Sequence, residues 1–91
     1  MEVIIDNKKY EVIKNEKDAL DINDLEGKIT DYYDSFDYIL GDYAYGKVRL
    51  KGFNDKNNKY FKPVNDIQKV DDYVEKYCAY GCKYFILKIK K

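Results

Sequence analysis

The sequence predicts an α+β fold: one small domain in which a mainly antiparallel β-sheet has two or so helices packed on one side. Three observations lead to this class. Large and small side chains alternate along 43–51, which is the period of a strand with two different faces. Two short β-rich runs lie near the N-terminus, and an apolar stripe of helical spacing lies within 67–78. In chain order the predicted elements are ββαββαβ.

Length and composition predict a single domain over residues 1–91. The chain is 45% hydrophobic and 37% charged, a balance typical of a globular protein rather than a disordered one. Eleven tyrosines and four phenylalanines supply the core volume that tryptophan, which is absent, would otherwise provide.

The first third of the chain predicts a hairpin followed by an acidic helix. Val3-Ile4-Ile5 and Tyr10-Glu11-Val12-Ile13 flank a polar Asp/Asn turn. The apolar face of the helix then consists of Ile22, Leu25, Ile29 and Tyr32 or Tyr33. Gly27 lies inside this pattern and costs about 1 kcal/mol relative to alanine, so the helix depends on packing for its stability.

A second hairpin occupies the middle of the chain. Phe36 to Leu40 is the first strand, and Gly41-Asp42 fits a two-residue type II′ turn, which places Tyr38 opposite Tyr45. A longer loop through Tyr43-Ala44 is the alternative, and it would shift the pairing.

The second strand of this hairpin presents two different faces, because successive side chains of a strand point in opposite directions. The even positions form a small and aliphatic face: Ala44, Gly46, Val48 and Leu50. The odd positions form an aromatic and cationic face: Tyr43, Tyr45, Lys47, Arg49 and Lys51. We expect the aliphatic face to be core.

The last third predicts a helix and a final strand. Pro63, Asn65 as N-cap and Gln68 in a capping-box position predict the helix start, and Gly81 predicts its end. Its apolar stripe is Ile67, Val70, Val74, Tyr77 and Cys78. We expect this stripe to cover Val48 and Leu50. The strand Lys83 to Lys90 is apolar on both faces in its middle, which predicts a position inside the sheet.

Three segments of the chain resemble the YutD-like family of low-GC Gram-positive bacteria and their relatives. They are Tyr-Ile-Leu-Gly-Asp-Tyr-Ala-Tyr-Gly at 38–46, Arg-Leu-Lys-Gly-Phe at 49–53 and Tyr-Cys-Ala-Tyr-Gly-Cys-Lys-Tyr-Phe at 77–85. Their order and spacing match as well, and the similarity extends over nearly the whole chain. Tyr43 is a departure, since family members usually carry tryptophan there. The resemblance implies an α+β fold and a bacterial cytoplasmic protein of unknown function, a regulator by some descriptions.

Several functional classes are disfavoured by composition. The chain has no histidine, which removes the usual neutral-pH general base and the commonest metal ligand. Cys78 and Cys82 are two of the four ligands that a structural zinc needs, so we expect unpaired thiols without metal. The glycines have neither P-loop nor dinucleotide-binding spacing. We therefore predict no catalytic, cofactor or metal site. No apolar run is long enough for a membrane span or a signal peptide, so we also predict a cytoplasmic location.

Charge segregation predicts a binding surface instead. Residues 15–42 hold nine acids and two lysines, a net charge of −7, whereas 43–62 hold six bases and one acid, a net charge of +5. Tyr43, Tyr45, Lys47, Arg49 and Lys51 are the candidate binding surface. Two hypotheses follow: a non-enzymatic protein-interaction or regulatory module with an unidentified protein partner, or a weak binder of single-stranded RNA or another polyanion through stacking and phosphate contacts.

Overall fold

The computed structural model describes residues 1–77 and 82–90. The strands are β1 (Glu2–Ile5), β2 (Lys8–Glu16), β3 (Tyr38–Ala44), β4 (Lys47–Phe53) and β5 (Tyr84–Ile89). The helices are α1 (Ile22–Leu25) and α2 (Val70–Tyr77), with short 3-10 segments at Asp31–Ser35, Pro63–Asn65 and Ile67–Lys69. The predicted order ββαββαβ is confirmed.

All five strands form one antiparallel sheet in the order β1-β2-β5-β3-β4. The C-terminal strand β5 is central and pairs with β2 on one side and β3 on the other. Tyr84, Phe85, Ile86 and Leu87 are all buried, which confirms that this strand is interior. Strands β1 and β4 form the two edges.

The first hairpin forms as predicted. Asp6 and Asn7 both have positive φ, at 51° and 68°, which a two-residue type I′ turn requires and which Asn and Asp tolerate better than most residues. Val3 pairs with Tyr10 and Ile5 with Lys8. Both Ile5 and Tyr10 are almost fully buried.

The turn of the second hairpin lies at Tyr45-Gly46, so the predicted turn at Gly41-Asp42 is wrong. Tyr45 and Gly46 have φ values of 53° and 75°, and Ala44 pairs directly with Lys47. Tyr38 therefore lies opposite Phe53 rather than Tyr45. A glycine at position 41 is required by a tertiary contact rather than by a turn.

That contact is with the ring of Phe85, which packs directly on Gly41. A Cβ atom built on Gly41 would overlap Cζ of the Phe85 ring, so only a residue without a side chain fits at this point of β3. Gly41 pairs with Phe85 across the sheet, and both residues are buried.

The helical segments cover opposite faces of the sheet, not one side as predicted. Adjacent residues of β3 and β5 alternate between two separate buried clusters. The first cluster contains Ile39, Phe85 and Leu87 and is covered by α1 and by the residues that flank α1 in the sequence. The second contains Leu40, Phe53, Tyr84 and Ile86 and is covered by α2. The central strand is apolar on both faces, so each face needs its own cover.

The expected contact between Val48, Leu50 and the stripe of α2 is therefore wrong. Val48 and Leu50 pack against the first cluster, together with Ile22, Ile29 and other residues of the acidic segment. Ile67, Val70 and Val74 pack against the second cluster on the other face. The aliphatic face of β4 does face a core, as predicted, but a different segment covers it.

Both helices begin or end differently from the prediction. Gly27 has a φ of 74°, outside helical geometry, and α1 ends before it at Leu25. At the start of the second helical segment, Asp66 rather than Asn65 is the cap: its carboxylate accepts a hydrogen bond of 2.9 Å from the Gln68 amide. The expected helix end at Gly81 and the position of Cys78 lie outside the described residues.

Gly41→Ala should destabilise the fold because the added methyl group meets the Phe85 ring. We expect a loss of about 1–3 kcal/mol in the free energy of unfolding, measured by urea denaturation. Phe85→Leu alone should also destabilise, because it leaves a cavity. In the double variant the smaller side chain at position 85 makes room for the new methyl group, so the combined loss should be less than the sum of the two single losses. Strict additivity would mean that the two residues do not constrain each other.

Candidate functional site

The five residues of the predicted binding surface do not share one face. Lys47, Arg49 and Lys51 lie on the sheet face of the second cluster, with Phe53. Tyr43 pairs with Val48 and packs against the first cluster on the opposite face. The two-residue turn at 45–46 reverses the parity that a continuous strand would have kept, and this separates Tyr43 from the cations.

Tyr43 is held by the acidic segment. Its hydroxyl donates a hydrogen bond of 3.0 Å to Asp24 Oδ2, and the Lys83 ammonium lies 4.8 Å from the centre of its ring. Burial, followed by the hydrogen bond and charge of Asp24, raises the pKa of Tyr43 to about 12. These contacts make Tyr43 a packing residue between β3 and α1.

Arg49 forms a bidentate ion pair within its own sheet. Its Nε donates to Asp42 Oδ1 at 2.9 Å and its Nη2 to Asp42 Oδ2 at 2.6 Å, across the paired positions of β3 and β4. The Asp42 side chain is only 4% exposed, whereas that of Arg49 is 52% exposed. A buried carboxylate needs such a partner, so Arg49 has a structural task as well as a surface position.

The other three predicted residues differ in exposure. Tyr45 is fully exposed at the tip of the hairpin, in a left-handed conformation that costs a bulky residue strain. Lys47 is exposed at the start of β4. Lys51 is half-buried, with its ammonium 5.1 Å from the Phe53 ring and 5.5 Å from the Tyr73 ring of α2.

A surface groove of about 490 Å³ lies against β4, and we call it the edge groove. It is lined by Tyr32, Ser35, Phe36, Leu50, Lys51, Gly52, Lys59, Tyr60, Lys62, Val64 and Asn65. Tyr32, Tyr60 and Val64 are large apolar side chains left mainly exposed, at 70%, 52% and 77%. Three lysines line the groove, and no carboxylate of the described residues does. Exposed apolar and aromatic patches with a polar rim are typical of surfaces that bind other macromolecules.

Asn54 fixes the loop that forms one wall of the edge groove. This side chain is fully buried, and its Oδ1 accepts from the Asp37 amide at 2.8 Å and from Asn58 Nδ2 at 3.2 Å. Its backbone amide donates to Asn65 O at 2.7 Å, and its carbonyl accepts from Ile67 N at 3.1 Å. One residue thus joins the start of β3, the loop and the approach to α2.

Two further asparagines shape the same loop. Asn58 also donates to Asp37 Oδ2 at 3.1 Å and Ser35 O at 3.3 Å, and its Oδ1 accepts from the Tyr60 amide at 2.7 Å. Asn65 Oδ1 accepts from the Lys62 amide at 2.8 Å. These bonds hold the chain from 58 to 65 in one conformation and position Tyr60 and Val64 at the groove.

Of the groove residues, the sequence prediction included only Lys51 in its binding surface. The signal that could have pointed to the rest was the polar, Asn-rich stretch 52–62, whose composition predicts a loop. Its asparagines are local hydrogen-bonding residues by type, and nothing in their spacing states which backbone groups they bind.

The described part of the chain offers no cluster of three or more His, Cys, Asp or Glu side chains that could hold a metal. Cys82 is a free thiol packed against the second cluster. Within 1–77 and 82–90, no helix has the length and apolar character needed to cross a membrane.

Comparison with known proteins assigns the family. The family described as "Putative antitoxin YutD-like" matches residues 4–88. A Bacillus subtilis protein described as "Putative antitoxin YutD" is 37% identical over 86 residues, which is 94% of each sequence. The chain belongs to the YutD-like family. The solution NMR structure of protein yutD from B. subtilis matches all of this chain and 83% of its own length, with a TM-score of 0.77 and 35% identity.

The family assignment confirms the resemblance seen in the sequence and the α+β class. The family description concerns an antitoxin rather than an enzyme, and the member compared is bacterial. The YutD-like fold of this chain is therefore a small antiparallel sheet with a helix on each face and an open basic groove at one edge.

Arg49→Ala should lower the free energy of unfolding by about 1–3 kcal/mol, because it leaves the buried Asp42 carboxylate without its bidentate partner. Lys47→Ala is the matched control on the same face of the same strand; we expect a change within about 0.5 kcal/mol, since Lys47 is exposed. Urea denaturation of both variants measures the difference. Equal midpoints would contradict a structural role for the ion pair.

The Tyr43 phenol should titrate with a pKa of about 12 in the folded protein, as followed by NMR of ring-labelled tyrosine. Because its pKa is raised above the ordinary value of 10.0, the protonated phenol stabilises the fold fully below pH 10, and that contribution is lost as the pH rises toward about 12. Asp24→Asn should lower the pKa of Tyr43 while leaving it above its ordinary value, since burial is the larger cause. An unchanged titration in Asp24→Asn would show that the Asp24 carboxylate does not act on the phenol in solution.

Proposed function

We propose that this chain is a non-enzymatic binding module that acts in the cytoplasm by holding a protein partner in the edge groove. In line with the description of its family, that partner is a toxin protein whose activity the bound module suppresses. The observation that carries the proposal is the combination of large exposed apolar side chains and three lysines along one groove, with no carboxylate among its described lining residues. Burial of such a surface against a complementary protein is favourable, because it removes apolar area from water.

The positions of the five predicted surface residues favour a protein partner over single-stranded RNA. Stacking of bases needs aromatic faces interleaved with available cations. On this sheet Tyr43 lies on the opposite face from Lys47, Arg49 and Lys51, so its ring is not interleaved with these cations. The predicted RNA surface therefore lacks the arrangement on which it was based. Tyr45 in the hairpin turn and Lys47 at the start of β4 are both exposed and extend the proposed binding surface beyond the groove.

Val64→Glu should abolish capture of the partner. Val64 is 77% exposed in the groove, so the substitution leaves the fold intact while placing a charge where the partner packs. Ile4→Glu is the matched control, because Ile4 is 61% exposed on β1 at the other edge of the sheet. Tagged wild type and both variants are used for cross-linked affinity capture from cells of the source organism, with and without nuclease, and bound proteins are identified by mass spectrometry.

We expect a protein that is enriched by wild type and by Ile4→Glu, lost with Val64→Glu and insensitive to nuclease. Its toxicity when expressed alone, and its suppression by co-expression of this chain, would identify it as the toxin. Capture that persists in Val64→Glu would overturn the groove as the binding site. Capture that disappears with nuclease, together with salt-sensitive binding of a fluorescent RNA, would favour the nucleic-acid hypothesis instead.

A further inference from the structure

We propose that the edge groove binds an extended, acidic segment of the partner as an added strand on β4; this inference rests on the proposed function. The added strand would pair with β4 antiparallel or parallel and carry acidic and apolar side chains in alternation. Binding of this kind uses main-chain hydrogen bonds for affinity and alternate side chains for specificity.

The first support is the free edge of β4. In the sheet order β4 is last, and within the described residues this strand pairs with β3 alone. Every second residue of an edge strand directs its N–H and C=O away from the sheet, so β4 offers unpaired backbone groups. Residues 47–52 span about 20 Å at roughly 3.4 Å per residue, room for about six residues of a partner.

The second support is that the chain already adds a strand-like segment at this edge. Asn54, directly after β4, forms a parallel bridge with Asp66 through the bonds to Asn65 O and Ile67 N. The edge is therefore accessible to backbone pairing at its end, and Val64 lies in the groove two residues before this bridge. A partner strand would continue the same edge toward Lys47.

The third support is the different chemistry above and below the edge. On one face, Phe36 packs against Gly52 with Tyr32 beside it, next to Leu50. On the other face the β4 side chains are Lys47, Arg49 and Lys51. Side chains of an added strand alternate between these faces, so apolar groups would meet Tyr32 and acids would meet Lys47 and Lys51, while Arg49 keeps its ion pair with Asp42. Lys59 and Lys62 add positive charge at the end of the groove.

Charge also argues against a second copy of this chain as the occupant. Two β4 strands paired edge to edge would bring Lys47, Arg49 and Lys51 of both copies together, and like charges on facing strands repel. Lysines on edge strands commonly prevent such self-pairing. An acidic strand has the complementary sign and meets no carboxylate among the described groove residues.

The test uses the full chain, labelled with ¹⁵N, and three synthetic peptides. The probe is a capped heptapeptide, Asp-Val-Glu-Tyr-Asp-Val-Glu; the second peptide has lysine at each acidic position, and the third is the probe with alternate backbone nitrogens methylated. We expect the probe to slow amide hydrogen exchange in β4 and to shift the signals of Tyr32 and Val64. Binding should weaken about tenfold or more with the lysine peptide and with Lys59→Glu/Lys62→Glu, and should be lost with the methylated peptide.

Protection at β1 instead of β4, equal affinity for the acidic and lysine peptides, or undiminished binding of the methylated peptide would each overturn the added-strand proposal. Absence of any β4 protection at millimolar probe would do the same, as would concentration-dependent dimerisation that protects β4 without peptide. The two proposals fail separately. Capture of a partner that Val64→Glu abolishes, combined with no strand addition, leaves the proposed function standing, whereas capture unaffected by Val64→Glu removes both.

Discussion

The shape of the edge groove depends on the hydrogen bonds of one buried residue, Asn54. Its oxygen accepts from the Asp37 amide at the start of β3, and its backbone binds the chain just before α2. The buried side-chain oxygen would cost free energy without partners, so its bonds and those of the Asn54 backbone fix three segments at once. The loop between them, with Tyr60 and Val64, follows from that constraint. These hydrogen bonds hold the long polar loop in one conformation, in which it lines the edge groove.

The centre of the sheet depends on a second constraint, the contact of Phe85 with Gly41. Because β5 is apolar on both faces, it needs cover on both, and the chain supplies the acidic segment on one side and α2 on the other. The acids of this covering segment remain mostly exposed, and the segment packs on the face of β4 that carries Val48 and Leu50. Lys47 and Lys51 lie on the other face of the same strand, so the charge segregation of the sequence corresponds to a difference between the two faces of the sheet at β4.

Local patterns predicted those elements whose cause is local. The first hairpin, the interior position of β5 and the element order follow from periodicity and turn residues alone. The turn at Gly41-Asp42 was wrong because Gly41 is required by Phe85, far along the chain, and Asp42 by Arg49. The helix side was wrong because apolar stripes do not state which face of a sheet they cover. The groove was missed, Lys51 aside, because asparagines indicate loops without naming their partners.

Packing on both faces also restricts where so small a domain offers an unoccupied surface. The central parts of the two sheet faces are occupied by the chain's own helical segments, and neither can accept a partner without displacing core. Of the two edges, β1 has four residues and is flanked by the ion pair of Lys90 with Glu2. The β4 edge has seven residues and an adjoining groove that combines apolar side chains with lysines. The fold therefore leaves one long edge whose side-chain chemistry differs from that of the other edge, and its lysines would favour the acidic partner proposed above.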